Sequence, residues 1–400
     1  MEESDWFLSF LLRPYYLIST AYSLIFFKEQ NIRIEQLEIR EINLPLVHYF
    51  ETSFGRTEKR RILLTKVYCN GAVGYGECTT GEKPFFSHET VNTAWIIIKD
   101  ILAPIAIGKE WKTPSEVGHY FKQIRGHQMA RAAVENACWD MTARANKIAL
   151  YELLGGTRKD IPCGVSIGIH DTPQQLLDKI RAEIEAGYQR IKIKIKPGWD
   201  YDILKLVRTT FPDITLTADA NAAYSLADLN LLKRLDEFNL LMIEQPLSHD
   251  DIIDHSYLQR QINTDICLDE PITSLDKTRK AIELKSGRII NIKLGRVGGF
   301  SEAIKIHDYC YKHNIPVWCG GMLEAGIGRS HNIAMSTLPG FILPGDVSAS
   351  ERYYREDIIE PPVTVNKDGF IKIPRAPGTG YEPKEEYIES ITVRKEVCSA

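Results

Sequence analysis

The sequence predicts an α/β protein with a modified, TIM-like (β/α) barrel and an N-terminal α+β capping domain. Two observations lead to this fold class. As far as residue 158, strand-like runs that alternate apolar and polar residues are followed by helical stretches. From residue 159, short β-branched runs alternate with helical stretches, as parallel strands joined by crossover helices do. The first pattern is typical of a small α+β domain and the second of a barrel.

The composition narrows the class of protein. The chain has 400 residues, of which 44% are hydrophobic and 26% charged, as in ordinary globular proteins. The net charge of −4 shows no basic excess, so we expect no nucleic-acid partner. The eight cysteines include no CxxC pair and are too sparse for a disulfide scaffold. We therefore expect reduced thiols in a cytoplasmic protein.

Residues 1–31 form an N-terminal extension of unknown role. Trp6–Leu12 and Pro14–Phe27 are rich in apolar and aromatic residues, but Arg13 separates them. Neither run reaches the roughly 20 residues that a membrane-spanning helix needs. The acidic start also differs from the basic start of a signal peptide. We expect no membrane partner.

The capping domain is predicted to span residues 32–158. Ile32–Ile39 and Arg61–Val67 alternate as half-buried strands do, and a loop with two aromatic residues, Phe50–Gly55, lies between them. Gly71–Cys78 contains three glycines and is typical of a hairpin. The following residues favour helices, most clearly at Met129–Met141, where apolar residues recur every three or four positions.

The barrel is predicted to span residues 159–352, and residues 353–400 are predicted to return to the capping domain as strand and loop. Eight strand-like runs fall in the barrel segment: Val165–Ile169, Arg190–Lys196, Ile214–Ala218, Leu240–Ile243, Asp265–Leu268, Ile289–Lys293, Pro316–Trp318 and Phe341–Leu343. Eight complete units typically need about 250 residues. We therefore expect a compact or incomplete barrel.

Five successive runs end in a charged residue. They are Lys194, Asp219, Glu244, Asp269 and Lys293, and each lies 24 or 25 residues after the one before it. This spacing corresponds to one strand and one helix. Because the carboxyl ends of barrel strands meet at one mouth, where active sites lie, all five should face the same cavity.

The order of these residues indicates their chemistry. Three carboxylates on adjacent strands form an oxygen ligand set of the kind that Mg²⁺ prefers, with Mn²⁺ as the alternative cation. A lysine flanks the carboxylates on each side, and a lysine whose pKa is lowered by a nearby cation can act as a base. Such a site could remove the proton α to a substrate carboxylate and stabilise the enediolate that forms.

Other interpretations of the residues stay open. Lys192, Lys194 and Lys196 alternate and should share one face, so they could form a structural ion network with the carboxylates. A single strand-end lysine would also serve a Schiff-base aldolase. A third alternative is a non-catalytic protein with this fold.

Several motifs resemble those of a known family. The short ones are Lys192-Ile-Lys194, Asp219-Ala-Asn221, Glu244-Gln-Pro246, Asp269-Glu270 and Lys293, and the longer ones are Lys194–Asp200, Asn291–Gly299, Val317–Glu324 and Leu343–Asp346. The sequence resembles the enolase superfamily in its muconate-lactonising branch. Within that branch it is similar to the o-succinylbenzoate synthase / N-succinylamino acid racemase subfamily.

The resemblance implies roles for the five charged residues. Asp219, Glu244 and Asp269 would bind Mg²⁺, with no organic cofactor. Lys194 would take the α-proton, and Lys293 would stabilise the enediolate from the other side. The implied reaction is the dehydration of 2-succinyl-6-hydroxy-2,4-cyclohexadiene-1-carboxylate to 2-succinylbenzoate in menaquinone biosynthesis. The alternative is racemisation of N-succinylamino acids with Lys293 as the second base, and one protein could carry both activities.

The resemblance also implies substrate contacts for a small-molecule carboxylate. The loop at Phe50–Gly55 resembles the family's mobile lid, whose aromatic residues could exclude water. The further candidates are Ser166 and the backbone near Gly320–Met322 for the succinyl group, and Lys192 and Asn221 from the strand motifs. The full set of expected substrate-binding residues is Lys192, Ser166, Asn221, Gly320, Met322, Phe50 and Phe54. Whether the protein is a homo-oligomer stays open.

Overall fold

The structure is a computed structural model that describes residues 32–53 and 55–399. The predicted extension, residues 1–31, and the expected substrate contact Phe54 lie outside the described residues. The strands, labelled β1 to β17 in chain order, are Ile32–Arg33, Gln36–Thr52, Gly55–Cys69, Ala72–Cys78, Glu110–Trp111, Asp160–Pro162, Gly164–Ile167, Arg190–Lys194, Leu216–Asp219, Met242–Glu244, Ile266–Leu268, Ile289–Ile292, Val317–Cys319, Ile359–Glu360, Phe370–Lys372, Glu382–Pro383 and Thr392–Ser399.

Helices join most of the barrel strands and cover the capping sheet. The α-helices are Val91–Ile96, Ala103–Ala106, Pro114–Phe121, Gln128–Ala145, Leu150–Leu153, Pro173–Glu185, Tyr201–Thr210, Leu229–Arg234, Ile253–Gln259, Leu275–Leu284, Leu294–Val297, Phe300–Lys312, Gly326–Met335 and Glu385–Ser390. A π-helical segment, Ile97–Leu102, joins the first two, and short 3₁₀ turns lie at Leu226–Asp228, Leu235–Phe238 and Ser350–Arg352. Among the described residues, no helix combines the length and the apolar character that crossing a membrane requires.

The capping domain is built on a four-stranded sheet. Its strand order is β17-β2-β3-β4, with every pair antiparallel. The helix Gln128–Ala145 packs on this sheet so closely that a Cβ at Gly74 or Gly76 would overlap the helix carbonyl oxygens of Ala137 and Ala133. The glycines of the β3–β4 hairpin therefore let a helix backbone approach the sheet.

The predicted loop at Phe50–Gly55 is wrong in its extent, because the two strands that flank it are much longer than expected. Phe50 pairs with Thr57 and Thr52 pairs with Gly55, so residues 53 and 54 alone separate β2 from β3. The register shifts between Pro45 and Phe50, where proline cannot donate a ladder hydrogen bond. The segment is the tip of a long β-hairpin.

The barrel contains seven parallel strands, β7 to β13, which neighbour one another in chain order. The eighth predicted run, Phe341–Leu343, is not a strand: Phe341 makes one bridge to Val317, and Gly345 makes another to Cys163. Pro339 and Pro344 flank the run and interrupt any ladder, because proline lacks a backbone N–H. The irregular segment lies between the two edge strands, and the predicted incomplete barrel with a capping domain is confirmed.

The end of the chain pairs with the capping sheet. β17 runs antiparallel to β2, from Thr392 opposite Ile42 to Ser399 opposite Gln36. The larger hydrophobic core fills the barrel and includes Ile42 and Leu64 of the capping sheet, both fully buried or nearly so. The sheet and the barrel therefore share apolar packing, and this packing positions the hairpin tip at the barrel mouth.

Candidate active site

The five predicted charged residues lie together at the carboxyl ends of consecutive barrel strands. Lys194, Asp219 and Glu244 are successive register partners at the ends of β8, β9 and β10. Asp269 and Lys293 follow directly after β11 and β12. All five are buried. The lysines stand four strands apart, and the three carboxylates occupy the strands between them.

Lys194 is held at the first side of this set. Its Nζ donates hydrogen bonds to Asp219 Oδ2 at 2.6 Å and to Asn221 Oδ1 at 2.7 Å. Asn221 lies in the left-handed backbone region, with φ of 44°, which turns the chain sharply after β9. The turn brings its amide back over the strand end, where it fixes the direction of the lysine.

Lys293 is held at the other side. Its Nζ donates to Asp269 Oδ2 at 2.7 Å and lies 4.8 Å from the centre of the Phe86 ring. Phe86 belongs to the segment after β4, so the capping domain covers this lysine. A positive charge over an aromatic face is favourable, and the ring shields the amine from water.

Lys192 lies one layer deeper and is surrounded by carboxylates. Its Nζ is 2.8 Å from Glu244 Oε2, 3.3 Å from Asp219 Oδ2 and 2.6 Å from Asp346 Oδ2. Burial alone would lower the pKa of Lys192, but the charges of Asp346, Glu244 and Asp219 together raise it above its usual value. Lys192 therefore stays an ammonium ion and is suited to fixing Glu244 rather than to taking a proton.

The expectation that Lys196 shares the inward face with Lys192 and Lys194 is wrong. β8 ends at Lys194, and the chain then turns, with Lys196 bridged to Trp199. The Lys196 side chain is 39% exposed, and its Nζ lies 3.5 Å from Glu51 of the hairpin tip. It contacts the capping domain instead of the carboxylates.

Asp219, Glu244 and Asp269 offer carboxylate oxygens, which are suitable ligands for a divalent cation. In the structure these carboxylates form ion pairs with lysine and arginine side chains. Among residues 32–53 and 55–399, no group of three acidic, histidine or cysteine side chains is arranged around one ion position. Lys194 and Lys192 lower the pKa of Asp219 against the effect of its burial, so it is ionised. Asp269 pairs with Lys293 and Arg296.

Glu270, directly after Asp269, is a further buried carboxylate that favours a bound cation at this site. Its Oε2 is buried without a hydrogen-bond partner among the described residues. Burial, together with the charges of Asp219 and Glu244 and against that of Lys293, raises the pKa of Glu270 to about 7. Negative charge is crowded at this mouth, and a hard cation on carboxylate oxygens would relieve it.

A cavity of about 660 Å³ opens over the mouth, between the barrel and the capping domain. Both Lys194 and Lys293 line it. Among the described residues in its wall, six are basic and three acidic: Arg56, Lys59, Arg60, Lys83, Lys194 and Lys293 against Glu58, Glu82 and Glu89. The cavity therefore favours an anionic ligand.

The expected substrate-binding residues divide into two groups. Asn221, Met322 and Phe50 line the cavity. Gly320 lies beneath Lys293, and Ser166 lies one layer below the mouth, where it is the register partner of Lys192. The buried Oγ of Ser166 has no hydrogen-bond partner among the described residues.

Several residues at the site were not predicted from the sequence. Asn291 Nδ2 donates to Glu244 Oε1 at 2.7 Å, and Asp346 pairs with both Lys192 and Arg190. Arg296 contacts Asp269 and donates from Nε to the carbonyl oxygen of Ile272 at 2.9 Å. All three residues belong to the longer motifs: Asn291, Arg296 and Asp346. Their sequence signal was a polar residue within a buried strand or close to a lysine of the site, and this signal could have indicated that they contact the site.

Comparisons with known proteins agree with this architecture. The family model described as "Enolase C-terminal domain-like" matches residues 175–387, and the "Mandelate racemase / muconate lactonizing enzyme, N-terminal domain" matches residues 35–155. The chain belongs to the enolase superfamily, in the o-succinylbenzoate synthase / N-succinylamino acid racemase group of its muconate-lactonising branch. The resemblance predicted from the motifs is confirmed.

Individual relatives cover almost the whole chain. An o-succinylbenzoate synthase from Geobacillus kaustophilus is 49% identical over 362 residues, which are 90% of this chain and 96% of that protein. An N-succinylamino acid racemase from Thermus thermophilus is 46% identical over 92% of this chain and all of that protein. A solved enolase-superfamily structure from Listeria innocua has a TM-score of 0.89 and 40% identity, over 92% of this chain and 99% of that one. Enzymes of this superfamily generally use Mg²⁺.

Proposed function

We propose that the protein catalyses the dehydration of 2-succinyl-6-hydroxy-2,4-cyclohexadiene-1-carboxylate to 2-succinylbenzoate, a step of menaquinone biosynthesis. The observation that carries the proposal is the pair of lysines, Lys194 and Lys293, at two sides of a buried carboxylate set below one anion-favouring cavity. The similarity to proteins named o-succinylbenzoate synthase, at 43–49% identity, supports the choice of reaction.

The lysines divide the chemistry between them. In its neutral form, Lys194 Nζ takes the proton from the carbon next to the ring carboxylate, and the ammonium of Lys293 stabilises the negative charge of the enediolate. The proton on Lys194 then passes to the hydroxyl on the adjacent carbon. The C–O bond breaks, water leaves and the ring becomes aromatic, so removal of the α-proton is the difficult step.

Mg²⁺ is the expected cofactor, and Mn²⁺ suits the same ligands. Asp219, Glu244 and Asp269 would hold the ion, which would supply positive charge beside the substrate carboxylate. Lys192 and Asn291 orient Glu244 from below through hydrogen bonds of 2.8 Å and 2.7 Å. Residues that fix a ligand's direction in this way commonly tune metal affinity.

Racemisation of N-succinylamino acids is a second candidate. The observation that favours it is that Lys293 is an amine placed opposite Lys194, so one lysine could take the α-proton and the other could return a proton to the opposite face. Two relatives at 46% and 44% identity are named N-succinylamino acid racemase. The same lysine pair and metal ligands serve both reactions, and one protein could catalyse both.

The decisive experiment assays the purified protein with Mg²⁺ against the cyclohexadiene substrate and a panel of N-succinylamino acids. We expect dehydration, and the ratio of the two kcat/KM values then assigns the main activity. Absence of both dehydration and α-proton exchange with solvent deuterium, with Mg²⁺ or Mn²⁺, would refute the proposal. Borohydride trapping of a substrate on a lysine would instead identify a Schiff-base enzyme.

We also propose a cytoplasmic protein that acts on small molecules. All eight cysteines are free thiols, and seven of them are buried. Burial raises the pKa of thiols such as Cys78 and Cys310 to about 12, so these groups remain protonated and unreactive. Free thiols without disulfide bonds are typical of proteins in a reducing compartment such as the cytoplasm.

A further inference from the structure

We propose that Arg60 binds the second, distal carboxylate of the substrate and so makes the cavity selective for dicarboxylates that carry a succinyl group. This inference rests on the proposed function, because it names the part of that substrate that the capping domain recognises. Arg60 touches the bound molecule in this proposal, far from the carbon that loses its proton, and is therefore a specificity residue.

Arg60 occupies the cavity wall that faces the barrel. It lies on β3, where it pairs with Leu44, and it lines the same cavity as Lys194 and Lys293. Met322 and Leu323 of the barrel line that cavity too. The capping domain therefore places a guanidinium over a cavity whose floor carries the two lysines.

The contacts of Arg60 leave part of its guanidinium without a partner. Nη2 donates to the carbonyl oxygens of Thr79, at 3.0 Å, and Thr80, at 3.2 Å. The residue is 8% exposed, and its Nε is buried with no hydrogen-bond partner. Among the described residues, no carboxylate forms an ion pair with Arg60. The two carbonyl groups hold the guanidinium in place but do not neutralise it.

The other basic residues that the capping domain contributes to this wall differ from Arg60. Arg56 is already paired with Glu51 and Asp171, at 2.8 Å each. Lys59 and Lys83 are exposed to solvent. Arg60 is therefore the one among these four whose charge is both buried and unpaired.

A buried charge without a counter-ion is unfavourable, and a ligand that supplied the opposite charge would relieve this cost. The planar guanidinium matches a carboxylate in a paired, two-bond geometry. The proposed substrate has two carboxylates: one beside the reacting carbon and one at the end of the flexible succinyl chain. With the first placed at the lysines, Arg60 on the capping-domain wall of the same cavity is the partner for the second.

The test measures ligand binding without turnover. The probes are 2-succinylbenzoate and 2-butanoylbenzoate, which has a methyl group in place of the distal carboxylate. We expect wild-type protein to bind 2-succinylbenzoate at least tenfold more tightly, since a hydrogen bond to a charged group contributes on the order of tenfold or more in affinity. Arg60→Met should abolish this preference by weakening 2-succinylbenzoate alone. Lys59→Met, which removes one charge from the same wall, should keep it.

Three results would overturn the inference: equal binding of both probes by the wild-type protein, an unchanged preference in Arg60→Met, or an equal loss for both probes. If Arg60→Met does not fold, Arg60→Lys retains the charge without the planar geometry, and it should reduce the preference only in part. A protein that shows the Arg60-dependent preference but neither dehydrates nor exchanges α-protons would keep this inference and refute the proposed reaction.

Discussion

Gly320 lies directly against the side chain of Lys293: a Cβ at Gly320 would stand 2.6 Å from Cε of the lysine. A side chain at residue 320 is therefore incompatible with the position in which Lys293 reaches Asp269. The glycine follows β13, the strand next to β12. The glycine therefore leaves room for the Lys293 side chain and for the Asn291 amide, which a Cβ would overlap.

Gly320→Ala should consequently lower kcat, and it should also cost about 1–3 kcal/mol of stability, because the added methyl group overlaps the buried side chains of Asn291 and Lys293. A displacement of about 1 Å in a reacting group can cost about 100-fold in rate, so we expect kcat to fall by roughly ten- to a hundredfold. Steady-state kinetics and thermal unfolding should be measured together. An unchanged kcat in a folded Gly320→Ala variant would contradict the expectation that turnover depends on the space that Gly320 leaves for Lys293.

Replacement of either lysine should abolish dehydration while the fold survives. A positioned general base contributes about 10²- to 10⁴-fold in rate, and a group that stabilises developing negative charge contributes about 10²- to 10³-fold. Lys194→Ala and Lys293→Ala should therefore each lose at least about 100-fold in kcat. Lys196→Ala is the matched control, because Lys196 contacts the hairpin tip instead of the carboxylates. Near-normal turnover in Lys194→Ala, or a loss in Lys196→Ala as large as in Lys194→Ala, would contradict the assignment of the base.

The strand-end charges could be predicted because one repeating unit separates them and the strand direction brings them to one mouth. The end of β8 could not be predicted in the same way: the alternation of Lys192, Lys194 and Lys196 continues past the point where the backbone turns. Arg60 and Phe86 reach the cavity from the capping domain. Their positions depend on how that sheet packs on the barrel, and sequence spacing carries no information about such packing.

The eighth predicted barrel strand shows a second reason why part of the fold could not be predicted from the sequence. Phe341–Leu343 has the composition of a strand, but Pro339 and Pro344 prevent a continuous ladder. Composition alone favoured a strand, and the backbone chemistry of the flanking residues excluded it. The hairpin at Phe50 is the opposite case, since cross-strand pairing with Thr57 extends a strand through residues that were predicted as a loop.

Metal dependence should respond to Glu244 specifically. Chelation should remove the wild-type activity, and Mg²⁺ should restore it. Glu244→Gln should raise the Mg²⁺ concentration that gives half of the maximal activity by roughly tenfold or more, because losing groups that bind or orient a metal typically costs 10- to 100-fold in affinity. Glu302→Gln, a buried carboxylate outside the cavity, is the control and should titrate like the wild type. Identical Mg²⁺ titrations for both variants would exclude Glu244 as a ligand.

The hairpin tip is attached to the barrel mouth through Arg56. Its guanidinium bridges Glu51 and Asp171 and stacks 3.8 Å from the centre of the Tyr49 ring. Because exposed ion pairs contribute little to stability, Arg56→Met should leave the melting temperature almost unchanged. It should raise KM by about two- to fivefold, since the tip that carries Phe50 is held less firmly. A change in melting temperature without a change in KM would contradict this role.

His331 should make the protein sensitive to acid. The ring is buried and edge-on to Phe300, and neither ring nitrogen makes a hydrogen bond of good geometry among the described residues. Burial, with a smaller effect from the Arg144 charge and against a weak interaction with the Tyr75 backbone, lowers the pKa of His331 from 6.5 to about 3. In the unfolded chain the His331 imidazole therefore binds a proton below about pH 6.5, whereas in the folded protein it stays neutral down to about pH 3. The free energy of unfolding should fall across this range as the pH decreases.

His331→Phe removes the titrating group and keeps an aromatic ring at the site, so its stability should depend less on pH. Each pH unit below the unfolded pKa costs up to about 1.4 kcal/mol, and from pH 7.5 to pH 5 the wild type should lose about 2 kcal/mol more than the variant. Urea unfolding at both pH values measures the difference, and exposed His119→Gln should retain the wild-type dependence. If wild type and His331→Phe lose stability in parallel, the buried ring is already protonated or is open to solvent, and the acid sensitivity arises elsewhere in the fold.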